Sequence, residues 1–201
     1  NNRVTLTFTP TAGTLITNVS GSCTNGQIEI GAFRTSFILT AGAAVTRNQD
    51  LISKAGITDL IGQTEGVFFL ELRAQQVSGV NRAVSISDST SNNRIAISYP
   101  ANAPTFITFL VSSQSVIINT PQFLNTGLFM KIAVRYSSTK VSFWVNGVNL
   151  ASVNGTFNFG NLNRIGSDSG AGASVFFGDT SSLQLYKSAL TDSEMINLTT
   201  L

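Results

Sequence analysis

Histidine is absent from the 201 residues, and cysteine occurs once, as Cys23. The lack of histidine removes the usual general base of serine and cysteine triads and the commonest metal ligand. A single cysteine cannot form a disulfide within the chain, and without a histidine partner it is a poor nucleophile. We therefore expect Cys23 to be a small strand or loop residue, and the composition disfavours histidine-dependent catalysis and zinc chemistry.

Charged residues are also scarce. Asp, Glu, Lys and Arg make up 11% of the chain, against roughly 25% in an average soluble domain. The net charge is only +2 and the basic residues are scattered, so we expect no nucleic-acid partner. No apolar run is long enough to span a bilayer, so we expect no membrane insertion.

Hydroxyl and amide side chains take the place of charge, since Ser, Thr and Asn form about a third of the chain. The hydrophobic fraction of 42%, with 14 Phe, is enough to build a buried core. Several short segments alternate apolar and polar residues with the period-two pattern of half-buried strands, and turn-forming residues separate them. Predicted strands lie at 4–9, 14–19, 27–30, 66–73, 83–87, 94–99, 105–112, 115–119, 131–136, 141–145 and 148–151.

Two local motifs are more specific. Asn146-Gly147 lies between two strand-like segments, and this dipeptide favours a type I′ hairpin turn because both positions require a positive φ. Thr191 and Glu194 form a capping box, which predicts a short helix through about Leu198. The fold class predicted is therefore all-β, a two-sheet antiparallel β-sandwich with a short C-terminal helix.

Three segments of the second half resemble a known family. KIAVRYSSTKVSFWVNG at 131–147, NRIG at 163–166 and SLQLYKSALTDSEMINLTT at 182–200 are similar to the closing half of laminin G-like, concanavalin A-like jelly rolls. RNQDLISKAGITDLIGQTEGVFFLEL at 47–72 resembles the opening of such domains in bacteriophage tail and other virion proteins. The resemblance implies a concanavalin A-like jelly roll over residues 47–201.

An N-terminal β appendage precedes this region. GQIEIGAFRTSFILTAGAAVTRNQD at 26–50 is similar to a phage pattern in which a carbohydrate-binding-module-like sandwich ends and an extended connector follows. On this reading, residues 1–33 are the terminal strands of a preceding sandwich and residues 34–46 are the connector. Three strands cannot bury both of their faces, so we expect them to dock on the main sandwich or on a neighbouring subunit.

No catalytic residues are assigned. Glycanases of this fold class place paired carboxylates on one strand, about 5 to 9 Å apart. Glu71 has only Leu70, Leu72 and Arg73 around it, and Glu65 lies in a turn before Gly66. We therefore expect no enzymatic activity, although a glycan-active hydrolase of the same fold remains an alternative.

Candidate binding residues come from loops and from the single tryptophan. Laminin G-like domains often bind Ca²⁺ through oxygen ligands at the sandwich rim, which makes Asp88, Asp168 and Asp179 candidate metal ligands, while turn formation is the ordinary role of such residues. No cofactor is required. Trp144 either stacks on a sugar ring or packs under a neighbouring segment. Candidate ligand contacts are Trp144, Asn92, Asn93 and Asn146.

Taken together, these features predict a non-enzymatic structural protein of a bacteriophage virion, in a tail fibre, appendage or head fibre. Its expected role is attachment at the virion surface through host or environmental glycans. Other virion subunits are the expected partners, and a homo-oligomer, with a trimer favoured, is the expected state. A purely architectural oligomerisation module is the remaining alternative.

Overall fold

A computed structural model describes residues 5–30, 37–46, 51–74, 80–99, 106–111, 116–121 and 128–201. The chain divides into two units, residues 1–50 and 51–201. The proposed boundaries at residues 33, 34–46 and 47 stay a prediction, because residues 31–36 and 47–50 lie outside the described residues.

In the first unit, no helix or strand occurs within residues 5–30 and 37–46. The strands predicted at 14–19 and 27–30 are therefore not formed there. The same holds for the described part of 4–9, whose first residue, Val4, lies outside the described residues. The physical reason is that a strand needs a hydrogen-bonded partner, and no ladder forms within this stretch. Cys23 is an exposed free thiol.

The second unit is built from strands, as its alternating sequence predicts. Gly62 and Gly66 bracket the entry into the first long strand, where an added Cβ would lie 1.7 Å from the Glu65 carbonyl oxygen and 2.5 Å from the Tyr186 carbonyl oxygen. The elements are β1 Ser53–Ala55, a 3-10 helix Thr58–Leu60, β2 Glu65–Ala74, β3 Arg82–Ser87, β4 Arg94–Tyr99, β5 Phe106–Val111, β6 Val116–Pro121, β7 Met130–Ser137, β8 Lys140–Val145, β9 Val148–Asn154, β10 Arg164–Gly166, β11 Gly178–Tyr186 and α1 Asp192–Thr199.

These strands form two antiparallel sheets, which confirms the predicted sandwich. One sheet has six strands in the order β1-β10-β3-β4-β5-β6, and the other has five in the order β11-β2-β7-β8-β9. Successive side chains of a strand point to opposite faces, so Phe68 and Leu70 enter the core between the sheets while Val67 and Phe69 face outward. The core is apolar and well filled, and Phe68, Leu70, Ile86 and Phe143 have no exposed surface.

The helix α1 covers part of the outer face of the five-stranded sheet. Met195 of α1 packs with Val67, Phe69, Ala133 and Trp144 in a second, smaller apolar cluster. The predicted capping box is confirmed: the Thr191 hydroxyl accepts a hydrogen bond from the Glu194 amide, and the Glu194 carboxylate accepts one from the Thr191 amide. Among the described residues, no helix has the length and apolar character needed to cross a membrane.

Candidate functional site

The loop between β3 and β4 contains three of the candidate residues, and their polar groups hold the loop in shape. The Asp88 carboxylate accepts hydrogen bonds from the Thr90 amide at 2.9 Å and the Thr90 hydroxyl at 2.5 Å. The Asn92 amide donates to the Thr90 hydroxyl, and the Asn93 side chain donates to the Gly160 carbonyl at 2.6 Å. The Asp88 contacts are turn-forming ones, as expected for an Asp side chain, whereas the Asn93 side chain joins this loop to the segment before β10.

Asp168 is buried against a guanidinium rather than open to a metal ion. Its carboxylate pairs with Arg164, with one hydrogen bond of 2.9 Å, and accepts the Gly170 amide at 2.7 Å. Burial alone would raise the pKa of Asp168, but the hydrogen bonds from Arg164 and from backbone amides outweigh burial and lower it. Asp168 therefore anchors the loop that follows β10.

Asp179 has a separate cationic partner. It forms an ion pair of 2.5 Å with Arg73, whose guanidinium lies 5.1 Å from the centre of the Phe129 ring. The three candidate metal ligands thus each have their own partner and do not converge. Within the part of the chain that the structure describes, no three Asp, Glu, Cys or His side chains are grouped in a way that could hold a metal ion.

Trp144 lies beneath α1. Of its two predicted roles, stacking on a sugar or packing under a neighbouring segment, its placement therefore fits the second. Only 3% of the residue is exposed, and its indole nitrogen donates to the Ser142 hydroxyl at 3.2 Å. The Arg135 guanidinium lies 5.8 Å from the ring centre on the same face of the sheet. The indole therefore offers no open face for a sugar, and the sequence could not show this because the covering helix is some 50 residues away.

Asn146 forms the predicted hairpin turn between β8 and β9. It has a φ of 48° and Gly147 has a φ of 82°, the positive values that a type I′ turn requires. Its side-chain oxygen accepts a hydrogen bond from the Lys131 amide at 3.0 Å. This oxygen ties the turn to β7, which accounts for the residue without a ligand.

An open cleft lies elsewhere, at the end of the five-stranded sheet where β2 begins and β7 ends. Its volume is about 310 Å³, a size within the usual range for small-ligand sites. The sheet forms one side of the cleft, and the connector between β11 and α1 contributes the other residues. The lining residues are Glu65, Arg135, Tyr136, Ser137, Thr139, Lys140, Ala189 and Leu190.

Strand register brings a carboxylate, a hydroxyl and an ammonium group together in the cleft. Glu65 of β2 pairs with Ser137 of β7, and Lys140 of β8 pairs with Asn154 of β9. The register of β7 with β8 also places Ser137 opposite Lys140 across their short turn. Paired residues share a face, so these four side chains form one row across four strands, which we call the polar row.

Backbone packing fixes the start of that row. Gly62 and Gly66 flank Glu65 at positions where backbone and tyrosine atoms leave no room for a Cβ. The buried hydroxyl of Tyr136 donates to the Gly62 carbonyl at 2.9 Å, and burial raises the pKa of this tyrosine. The backbone on either side of Glu65 is therefore closely packed.

Arg135, which also lines the cleft, is occupied by contacts to the protein. Its guanidinium donates to the Leu190 carbonyl at 2.8 Å and the Ser142 hydroxyl at 3.2 Å, and forms an ion pair of 2.6 Å with Asp192. Arg135 therefore links the connector and the first turn of α1 to the sheet. The exposed ionic groups lining the cleft are Glu65 and Lys140.

This arrangement suits a hydroxyl-rich ligand. A carboxylate accepts hydrogen bonds, an ammonium donates them, and the Thr139 hydroxyl can do either, while Ala189 and Leu190 supply an apolar surface. From the sequence, Glu65 was a candidate only for catalysis, and Lys140 was not identified. The signal was present in the strand patterns, but combining residues 75 positions apart requires the register of three strands.

The chain from residue 51 onward is thus a two-sheet antiparallel β-sandwich with a cleft at one end of its five-stranded sheet. Residues 70–195 match the concanavalin A-like lectin/glucanases superfamily, and the chain belongs to it. A search of curated proteins finds no match.

Solved structures share this fold at low sequence identity. The CBM40 of the Ruminococcus gnavus IT-sialidase, bound to α2,3-sialyllactose, superimposes with a TM-score of 0.58 and 15% identity, covering 70% of this chain and 84% of that one. Domain 4 of AbnA, a GH43 extracellular arabinanase from Geobacillus stearothermophilus in complex with arabinotriose, has a TM-score of 0.53 and 19% identity over 70% of this chain and 68% of that one. The NanB sialidase of Streptococcus pneumoniae has a TM-score of 0.60 and 15% identity, and the match covers 75% of this chain but only 26% of that one.

Proposed function

We propose that this chain is a non-catalytic glycan-binding module and that the cleft at the polar row is its binding site. The observation that carries the proposal is the cleft itself, which brings Glu65, Lys140 and the Thr139 hydroxyl together beside an apolar wall. Saccharide sites need this combination, because hydroxyl groups require both donors and acceptors and the sugar's C–H surface requires apolar contact.

The superfamily and two of the structural neighbours support a saccharide as the ligand class. The R. gnavus module is bound to sialyllactose and the G. stearothermophilus domain to arabinotriose. The match covers 84% of the R. gnavus module and 68% of the G. stearothermophilus domain, but only 26% of NanB.

We further propose that the module acts in attachment at the surface of a bacteriophage virion, alongside other virion subunits. The support for this role is the resemblance of residues 26–50 and 47–72 to segments of phage structural proteins. The low content of ionisable groups suits a contact surface that works through hydrogen bonds and shape.

A cleft-filling variant tests the proposed site. Ala189 is exposed and lines the cleft, so Ala189→Trp should obstruct the cleft without disturbing the core. On a glycan array followed by isothermal titration calorimetry, the unmodified chain should bind at least one saccharide, and Ala189→Trp should weaken that binding at least tenfold.

A matched control is available in the loop after β10. Ala171 is exposed and does not line the cleft, so Ala171→Trp should bind as the unmodified chain does. Equal binding by both tryptophan variants would show that the cleft is not the site.

A glycan hydrolase remains the second candidate because Glu65 places a carboxylate in the cleft. Hydrolysis with acid and base carboxylates needs two such groups about 5 to 9.5 Å apart, and among the cleft-lining residues Glu65 is the single one. Glu71 lies further along β2, paired with Lys131. Turnover of a β-glucan or of an array ligand that is lost in Glu65→Gln would establish the hydrolase instead.

A further inference from the structure

The polar row carries one negative and one positive side chain, so the cleft is not dominated by charge of a single sign. Glu65 and Lys140 lie on either side of Ser137, on strands β2, β7 and β8. Neighbouring strands are about 4.8 Å apart, which places the two Cα atoms roughly 10 Å apart. The other cation of the lining, Arg135, is neutralised by Asp192. The cleft therefore presents one negative and one positive group across a span comparable to one or two sugar rings.

The Ser137 hydroxyl between them is occupied within the hairpin. It accepts hydrogen bonds from the Lys140 amide at 3.0 Å and the Thr139 amide at 3.4 Å, and donates to the Lys140 carbonyl at 3.1 Å. Ser137 thus shapes the turn that carries Thr139 and Lys140. The Thr139 hydroxyl lies 3.5 Å from the Ser137 hydroxyl, so strong polar contacts to a ligand fall first to the two charged groups and then to the remaining capacity of Thr139.

From this layout we infer that the cleft selects uncharged saccharides that present adjacent hydroxyl groups, an inference that rests on the proposed function. Two neighbouring hydroxyls can both donate to the Glu65 carboxylate, while a third oxygen accepts from Lys140. An uncharged sugar can contact both Glu65 and Lys140. A sugar carrying a carboxylate gains at Lys140 but meets the like charge of Glu65, which lies in the same small cleft.

The distinction between uncharged and carboxylated saccharides matters because one structural neighbour is bound to sialyllactose, which carries a carboxylate. The two are only 15% identical in sequence, so the likeness shows a shared fold and does not fix the specificity of this cleft. This cleft suits the uncharged counterparts of such ligands.

Calorimetric titration of the full chain with uncharged and carboxylated saccharides tests the inference. The probes are lactose, cellotriose and arabinotriose as uncharged saccharides and 3′-sialyllactose as a carboxylated one. At least one uncharged probe should bind at least tenfold more tightly than 3′-sialyllactose. In Glu65→Gln that binding should weaken at least fivefold, and the affinity for 3′-sialyllactose should rise.

The matched variant Lys140→Gln removes the other charge. It should weaken the uncharged probe without improving 3′-sialyllactose. Thermal melts of both variants should match that of the unmodified chain, since Glu65 and Lys140 are exposed.

The outcomes separate this inference from the proposed function. Tighter binding of 3′-sialyllactose than of every uncharged probe would overturn the selectivity and leave glycan binding intact. Unchanged affinity of Glu65→Gln for the uncharged probe would likewise overturn the selectivity and leave glycan binding intact. Failure of all four probes and of the glycan array would overturn the proposed function and the selectivity with it.

Discussion

At the scale of single residues, the Arg164–Asp168 pair has the clearest structural role. Gly166 lies beneath it, and a Cβ there would come within 2.6 Å of the guanidinium and 2.7 Å of the carboxylate. Ser87 and Arg94 hold the same loop through the Gly170 and Ser169 carbonyls. A residue predicted as a metal ligand therefore acts as the anchor of a loop on the six-stranded sheet.

Asp168→Asn tests this anchor. Its side chain is 4% exposed and that of Arg164 is 13% exposed, so the substitution leaves a largely buried guanidinium without its countercharge. We expect the free energy of unfolding to fall by about 3 kcal/mol, measured by urea denaturation. Asp179→Asn is the control, because its pair with Arg73 is more exposed and should contribute less than about 1 kcal/mol. Equal losses would contradict the anchor.

The same pair predicts a pH dependence. The pKa of Asp168 is lower in the folded chain than its ordinary value, so protonation favours unfolding. Its contribution is complete above the unfolded pKa of about 3.9 and declines as the pH falls through the lower folded pKa. The stability difference between the unmodified chain and Asp168→Asn should be constant above about pH 4 and shrink below it. A difference that grows on acidification would contradict this account.

At the scale of elements, the short helix α1 acts as a cover for the outer face of the five-stranded sheet. It begins at a capping box and buries Met195 against Trp144. Arg135 holds the same region through the Leu190 carbonyl and Asp192. Because the connector before α1 lines the cleft, the docking of the helix also sets the shape of the candidate site.

Thr191→Ala tests how far the cap holds this helix. Loss of an N-cap hydroxyl typically costs about 1 kcal/mol, and Thr191→Ser should retain the cap. Trp144 is the single tryptophan, so its fluorescence reports docking directly. Thr191→Ala should increase quenching by acrylamide at temperatures below the main unfolding transition. Identical quenching in the alanine and serine variants would show that the cap does not hold α1 in place.

The alternating patterns predict strands β2 to β9 but not β1, β10 and β11, and the strands predicted at 14–19 and 27–30 do not form. The hairpin turn and the helix cap could be predicted because each depends only on neighbours in sequence. Asn146-Gly147 specifies its own turn, and Thr191 and Glu194 specify their own cap. The cleft could not be predicted, because Glu65 and Lys140 meet only through cross-strand register. The burial of Trp144 likewise depends on which face of the sheet α1 covers. In the N-terminal segment the alternating pattern predicts strands, but no pairing forms within residues 5–30 and 37–46.

At the scale of the whole molecule, the first unit exposes apolar residues that a stable particle would be expected to cover. Leu6, Ile16 and Ile30 are 81%, 75% and 108% exposed, and surfaces of this kind commonly mark contacts between chains. We propose a homo-oligomer, with a trimer favoured, as the resemblance of residues 26–72 to segments of phage structural proteins implies.

Native mass spectrometry measures this state directly. We expect a trimer as the main species at micromolar concentration, because burial of apolar side chains favours association. Adding salt should have little effect, since few charges lie in this unit. A stable monomer under the same conditions would contradict the fibre-like assembly.

The central claim is that the cleft beside the polar row binds a saccharide. Chemical-shift mapping by NMR, with the isotope-labelled chain titrated with the saccharide that binds most tightly on the array, tests it most directly. The account predicts that the largest backbone shifts fall at Glu65, Thr139, Lys140, Ala189 and Leu190. Shifts confined to the loop between β3 and β4, or no shifts at saturating saccharide, would contradict it.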